Sequence, residues 1–296
     1  MSLRLGVIGL SEGNGHPYSW SAIFNGYDPA AMQACGFPVI SDYLSRQSFP
    51  RDAIPEARVT HVWTQDQEQA RHIAAAARIE TVVADYRDMI GEVDAVLLAR
   101  DDAELHEEMA GPFLDAGLPI YIDKPLALSR ATARRMLDRQ HYPGQLFSCS
   151  ALKYAAELRL TDADREAIGQ IRLVQATVPK DWDCYAIHAI DPILSMLNSP
   201  GEVTSHGVQR TGGVTALLAS FQSDVVLQLT ALGPAPAPTA IKVFGDKGFR
   251  ELTFKDSFAA FRAALDDFVQ GVLRREVRSP EAGLMAAIEL VEAGRS

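Results

Sequence analysis

The sequence predicts an α/β protein in two parts. A doubly wound parallel sheet occupies residues 1–123, and an α+β domain with an open, mostly antiparallel sheet occupies 124–296. Three observations predict this. The chain has 296 residues, 47% of them hydrophobic and 22% charged, the balance of a soluble globular protein with apolar material for two cores. Up to residue 123, short apolar runs alternate with Ala- and Glu-rich helical segments, as in βαβ units. Beyond that point strand-like runs follow one another with few helices between them.

Taken in order, the first strand is expected at 3–10, within "LRLGVIGL". Further buried strands are expected at 58–63 ("RVTHVW"), 81–84 ("TVVA"), 94–99 ("DAVLLA") and 118–122 ("LPIYI"). "QDQEQARHIAAAAR" and "DAELHEEMAGPFLDAG" are the helices between the later strands, the second closed by Gly117 as a C-cap. Residues 16–57 are more than one crossover helix requires.

After 124 come a helix ("SRATARRMLDRQ") and a strand ("QLFSCSAL"), then strand candidates at 170–178, 203–210, 214–220, 224–231 and 240–244. Gln222-Ser223-Asp224 is the turn of a hairpin. "FGDKGF" is another turn, with Gly245 and Gly248 expected to supply positive φ. "GPAPAP" at 233–238 is a stiff exposed loop. The chain closes with helices over "SFAAFRAALDDFVQGVLRRE" and 280–294.

Composition excludes several classes of function. A net charge of −10 argues against nucleic acid or anionic membrane as partner. Cys35, Cys149 and Cys184 form no C-x-x-C pair, so neither a disulfide framework nor a metal site is expected. There is no 18-residue apolar run and no signal-type N-terminal segment, which makes the cytoplasm the expected compartment.

Three stretches carry chemistry. "GVIGLSEGNGHPYSW" begins like a G-x-G-x-x-G phosphate turn, but from Gly9 the second glycine slot holds Ser11 and the third holds Asn14. "YIDKPLALS" puts Lys124 directly after a buried strand, at the carboxyl edge where doubly wound sheets bind ligands. Partial burial there lowers a lysine pKa and lets the ammonium hydrogen-bond a substrate oxygen; the alternative is a surface lysine beside Asp123. In "DWDCYAIHAIDPILSML", Pro192 is tolerated only in a first helical turn, so a helix is expected to start near 188–191. His188 then stands at a helix N-terminus, where the dipole keeps the ring neutral and fit to act as a base. The alternatives are a buried histidine with a backbone partner, and an N-cap role for Asp191.

Together, "DKP" after the fifth strand, "IHAID" about 60 residues later and the order of elements resemble the Gfo/Idh/MocA oxidoreductases over nearly the whole chain. The resemblance implies an N-terminal Rossmann domain holding NAD or NADP, and oxidation or reduction of a carbinol on a sugar, cyclitol or sugar derivative. It assigns catalysis to Lys124 and His188, which sit around the reacting carbon in the family, and contact with the substrate to both of these and Asp191. The acid usually found four residues before the histidine is Cys184 here, and the glycine two before it is Ala186. Asp183, one residue off, is the candidate third acid.

On the cofactor side the resemblance implies binding by Gly9, Ser11, Gly13, Asn14, Gly15, Thr64, Asp101 and Lys124. The altered turn is read as rebuilt: Gly9 makes the tight turn, and Ser11, Asn14 and the amides of Gly13 to Gly15 meet the phosphates. Thr64 stands where the family often has an acid for the adenosine ribose, with Asp66 two residues on. Asp101 replaces a threonine, and His106 is retained as a residue that caps or packs a helix. In the long first crossover, Tyr18 and Trp20 are candidates to shape the substrate or cofactor pocket; the alternative there is a helix and a decorated surface loop. A homo-oligomer, dimer or tetramer, is expected through the open sheet. An NAD-dependent glycosidase working by transient oxidation, and a non-catalytic ligand-sensing relative, are the rival readings.

Overall fold

The structure is a computed structural model that describes residues 2–197 and 199–296. The chain divides into two compact units. The first runs up to Leu126 and adds Arg134–Ser148 and Phe261–Pro280; the second comprises Ala127–Ala133, Cys149–Ala260 and Glu281–Ser296. A single cut between 123 and 124 does not describe this division, because the chain returns to the first unit twice.

In the first unit, β1 (Leu3–Ile8), β2 (Ala57–Trp63), β3 (Thr81–Val82), β4 (Ala95–Leu98), β5 (Ile120–Ile122) and β6 (Leu146–Ser148) form a parallel sheet in the order β3-β2-β1-β4-β5-β6. Every residue of β4 and β5 is buried, as expected of strands covered on both faces. The strand within "QLFSCSAL", expected to open the second domain, is β6 and pairs with β5 in this first sheet. Its three residues cannot bury an apolar face alone, and β5 offers the open edge. The order reverses between β1 and β4, so the loops after β1, β4 and β5 meet at the switch point where such sheets bind ligands.

The long first crossover resolves into three short helices: α1 (His16–Asn25), α2 (Pro29–Gln33) and α3 (Pro38–Ser45). Each has a proline in its first two positions, where a missing N–H costs nothing. Asp28 caps α2 by accepting from Ala31 N–H at 2.9 Å. Helix α4 (Gln67–Ala76) is capped by Asp66, and α5 (His106–Asp115) ends at Gly117, whose φ of 74° fits the expected C-cap turn. Helix α6 (Arg130–Asp138) follows β5.

In the second unit, α7 (Asp162–Ile168) precedes β7 (Ile171–Val178). Then come α8 (Trp182–Tyr185), α9 (Ile187–Leu197), β8 (Val203–Thr211), β9 (Val214–Phe221), β10 (Val226–Ala231), β11 (Ala240–Gly245) and β12 (Phe249–Thr253). The sheet runs β12-β11-β7-β10-β9-β8, antiparallel except for the β7–β10 pair. The helices α10 (Ser257–Arg274) and α11 (Glu281–Ala293) close the chain, and α10 belongs to the first unit from Phe261 onward. No helix of the described residues is long and apolar enough to cross a membrane.

Two expectations about local backbone are corrected. Gly245 and Gly248 do not take positive φ. A Cβ on Gly245 would lie 2.3 Å from the Ile168 carbonyl, and one on Gly248 would lie 2.9 Å from that of Ala167, so close backbone approach requires glycine there. Pro192 does not sit in a first turn: α9 starts at Ile187, and Ala189 and Ile190 both donate to the Ala186 carbonyl, coupling α9 to α8. The proline is tolerated inside α9 on its buried face, at the loss of one N–H donor.

Candidate active site

The turn after β1 is tied to the loops after β2 and β4 by side chains. Gln65 Oε1 accepts from Leu10 N–H (3.1 Å) while its Nε2 donates to the Leu10 carbonyl (2.6 Å), so one amide side chain clamps both backbone groups. The same Oε1 accepts from Arg100 (2.9 Å). Ser11 Oγ donates to Asp101 Oδ1 at 2.5 Å. A Cβ on Gly9 would stand 2.2 Å from Pro17 Cγ, so the proline ring at the start of α1 requires this glycine. Gly13, with φ of 75°, has nothing within 4 Å of the place a Cβ would take.

Helix α1 offers few free amides to a ligand. His16 N–H donates to Asn14 Oδ1 (2.8 Å), Pro17 has no N–H, and Tyr18 N–H donates to the Gly15 carbonyl (3.1 Å). The amides of Ser11, Glu12, Gly13 and Gly15 have no acceptor among the described residues, and Glu12 and Gly13 are exposed. A dinucleotide pyrophosphate therefore fits this turn through loop amides and the open space over Gly13, in place of the helix amides most such folds use.

Lys124 and Asp123 extend the cluster along the carboxyl edge. Lys124, 4% exposed, places Nζ 3.1 Å from Asp101 Oδ2. Burial opposes ionisation of Asp101, but the Lys124 ammonium prevails and holds the carboxyl below the usual range. Asp123 is 1% exposed and fully engaged: Oδ2 accepts from Asn14 Nδ2 (2.9 Å) and pairs with His16 Nδ1 (2.6 Å), and Oδ1 accepts from Lys124 N–H (2.8 Å). Its burial too opposes ionisation, yet His16, Lys124 and Asn14 together keep it well below the usual carboxylate range. His106 is buried between the carbonyls of Arg100 (2.9 Å) and Leu126 (3.1 Å), joining the loops after β4 and β5.

Where an acid would meet the adenosine ribose, Thr64 is buried and its hydroxyl donates to the Asp66 carbonyl. Asp66 in turn accepts from Glu68 N–H (2.8 Å) as the cap of α4. Tyr18 and Trp20 lie in the core of the first unit: the Tyr18 hydroxyl meets His72 Nδ1 at 2.7 Å, and the Trp20 ring stacks between His16 (4.9 Å) and Tyr121 (4.8 Å). Among the described residues, no group of three His, Cys, Asp or Glu side chains is placed to hold a metal ion.

The second unit holds a cluster of its own. His188, on the buried face of α9, has Nδ1 2.8 Å from Ser150 Oγ, which also accepts from Leu152 N–H (3.3 Å). Ser150 N–H donates to Asp191 Oδ2 at 2.5 Å. A serine hydroxyl can accept from Nδ1–H or donate to bare Nδ1, so His188 keeps this hydrogen bond in either protonation state. Asp183 forms an ion pair with Arg295 near the C-terminus, at the surface of this unit. Cys184 N–H donates to the capping carboxylate of Asp181 at 2.9 Å.

Desolvation pushes the Asp191 carboxyl up to about 6, against the opposing pull of the Ser150 N–H and the Lys153 charge. Between about pH 4 and this value the folded chain holds a proton the unfolded chain has lost, so stability falls as pH rises through that window. Asp191→Asn keeps an oxygen for the Ser150 amide. It is expected to be more stable than the parent above about pH 7, by at most about 3 kcal/mol, and equally stable near pH 4. Urea unfolding across this range checks the claim, and parallel pH profiles for the two proteins would refute it.

Neither His16 nor Asp123 stood out in the sequence as part of the site, nor did Gln65 or Ser150. Asp123 had one visible signal, its place before Lys124 at a strand end. The other three act through partners 38 to 107 residues away, which no local pattern reveals.

Comparison with known proteins agrees with this fold. Residues 40–149 match the model of the Gfo/Idh/MocA family, described as an oxidoreductase family with an NAD-binding Rossmann fold. Inositol 2-dehydrogenase 1 of Saccharopolyspora erythraea is 28% identical, over 76% of this chain and 81% of its own. Myo-inositol dehydrogenase of Lactobacillus casei, solved with NAD(H) and myo-inositol, superposes with a TM-score of 0.76 at 18% identity, over 100% of this chain and 94% of its own. UDP-N-acetylglucosamine 3-dehydrogenase of Acidithiobacillus ferrooxidans superposes with a TM-score of 0.71 at 15% identity, over 98% and 96%. At these identities the solved structures speak for the fold alone. Over residues 40–149 the chain is similar to the Gfo/Idh/MocA oxidoreductases, and its two-sheet architecture is that of the solved dehydrogenases it superposes on.

Proposed function

We propose that this protein is an NAD(P)-dependent dehydrogenase or reductase acting on a carbinol or carbonyl carbon of a cyclitol, sugar or sugar derivative. The observation that carries the reading is the buried Lys124–Asp101 pair at the carboxyl edge of the parallel sheet, beside a turn whose loop amides are free. The nicotinamide, when bound, supplies the hydride donor or acceptor. Lys124 donates a hydrogen bond to the substrate oxygen that gains or loses a proton, and its positive charge stabilises that oxygen as alkoxide. His188 takes the hydroxyl proton at Nε2 during oxidation and returns it during reduction, while Nδ1 stays hydrogen-bonded to Ser150. Asp191, joined to the same serine through its amide, supports substrate hydroxyls.

A cyclitol is the first substrate to test, because the curated relative and one structural neighbour are named for inositol. A panel of inositols, free sugars and nucleotide sugars, each with NAD and with NADP, should give reduced nicotinamide for at least one polyol. Calorimetry with each dinucleotide runs beside it. No nucleotide binding and no turnover over the panel would remove the reading.

A further inference from the structure

His16 is the first residue of α1, and Asp123 follows β5. Their 2.6 Å contact spans from the β1 turn to the second half of the sheet, across the end of β4. Asp123 is a buried carboxylate whose Oδ2 also accepts from Asn14 Nδ2, so it has no proton to give and His16 Nδ1 must be the donor. This sets the ring orientation and leaves Nε2 with no hydrogen-bond partner among the described residues. The ring stacks on Trp20 at 4.9 Å and meets Phe261 in a T-shaped contact at 5.0 Å, while the side chain remains 16% exposed. A histidine held on one nitrogen and packed against two aromatic rings has a fixed orientation, with its other nitrogen left for a ligand.

The surrounding backbone says what it presents that nitrogen to. The first turn of α1 is closed by Asn14 Oδ1, by Pro17 and by the Gly15 carbonyl, so the usual helix donors to a dinucleotide phosphate are missing. The Lys124 ammonium is turned to Asp101. We propose that His16 replaces the closed helix amides as a phosphate contact of the dinucleotide, donating from Nε2 to the phosphate on the nicotinamide side. That side follows from Asp123, which anchors the ring over the β4–β6 half of the sheet, the half that takes the second mononucleotide. Nδ1 serves the Asp123 carboxylate and Nε2 the phosphate, so the two ring nitrogens have separate partners. The assignment rests on the dehydrogenase reading, which supplies the dinucleotide whose second phosphate lies there.

Calorimetry of the full chain with NAD, ADP and AMP tests it, because ADP carries the second phosphate and AMP lacks it. His16→Asn keeps a donor for Asp123 near the Nδ1 position and removes the outer nitrogen. It is expected to weaken NAD and ADP binding by roughly tenfold or more, the loss of one charge-assisted hydrogen bond, and to leave AMP binding within about twofold. His16→Gln, which carries an amide to the outer position, is expected to lose less; it also serves if the asparagine variant melts early. Unchanged ADP affinity in His16→Asn, or an equal loss for AMP, would overturn the assignment. A parent protein that binds no nucleotide at all would instead strike the dehydrogenase reading itself.

Discussion

Lys124→Ala is expected to lower turnover by roughly a hundredfold to a thousandfold at saturating cofactor, with the dinucleotide still bound. The size follows from the role proposed for the ammonium, which places a full charge and a hydrogen bond where negative charge develops on oxygen in the transition state. Both are worth more at a site where the lysine is 4% exposed than they would be in water. The variant also takes the Lys124 ammonium from the Asp101 carboxylate, to which Ser11 donates as well. Removing one partner of a buried pair costs about 3–5 kcal/mol, so unfolding must be measured beside turnover. Turnover within about threefold of the parent, in a folded and cofactor-loaded variant, would reject the role.

His188→Ala is expected to lower turnover by roughly two to four orders of magnitude, the usual worth of a positioned general base. The loss should appear in kcat with little change in cofactor affinity, because the ring is proposed to serve the substrate proton alone. Ser150→Ala provides the finer test. It leaves the imidazole in place and removes the group that holds Nδ1 at 2.8 Å, so it should cost less than the histidine itself and should shift the pH profile of kcat. Near-parent activity in His188→Ala would transfer the proton chemistry to another residue.

The pattern of short apolar runs and helical segments located most strands to within a few residues, since buried parallel strands and a hairpin sheet leave local signatures. β6 shows where such reading stops. Leu146–Ser148 looks the same whichever sheet it joins, and only the open edge of β5 draws it into the first. The glycines of "FGDKGF" looked like turn-makers; the cause of their being glycine lies in the backbone of α7, reached from about 80 residues away. Pro192 looked like a helix start because a lone proline is costly inside a helix. The coupling of α8 to α9 through the Ala186 carbonyl changed that outcome.

For the candidate site, the sequence singled out Lys124 and His188, because "DKP" and "IHAID" place them near element ends. It also announced that the turn after β1 lacks its second and third glycines. What local sequence cannot carry is the set of partners. Asn14 and His16 join Asp123 across more than 100 residues, Ser11 joins Asp101 across 90, and Ser150 joins His188 across 38. Residue type and spacing determine which groups stand at the ends of strands and helices, because periodicity and capping are local. Which of those groups share a proton, a charge or a buried surface is decided only when the parallel sheet brings the ends of β1, β4 and β5 side by side.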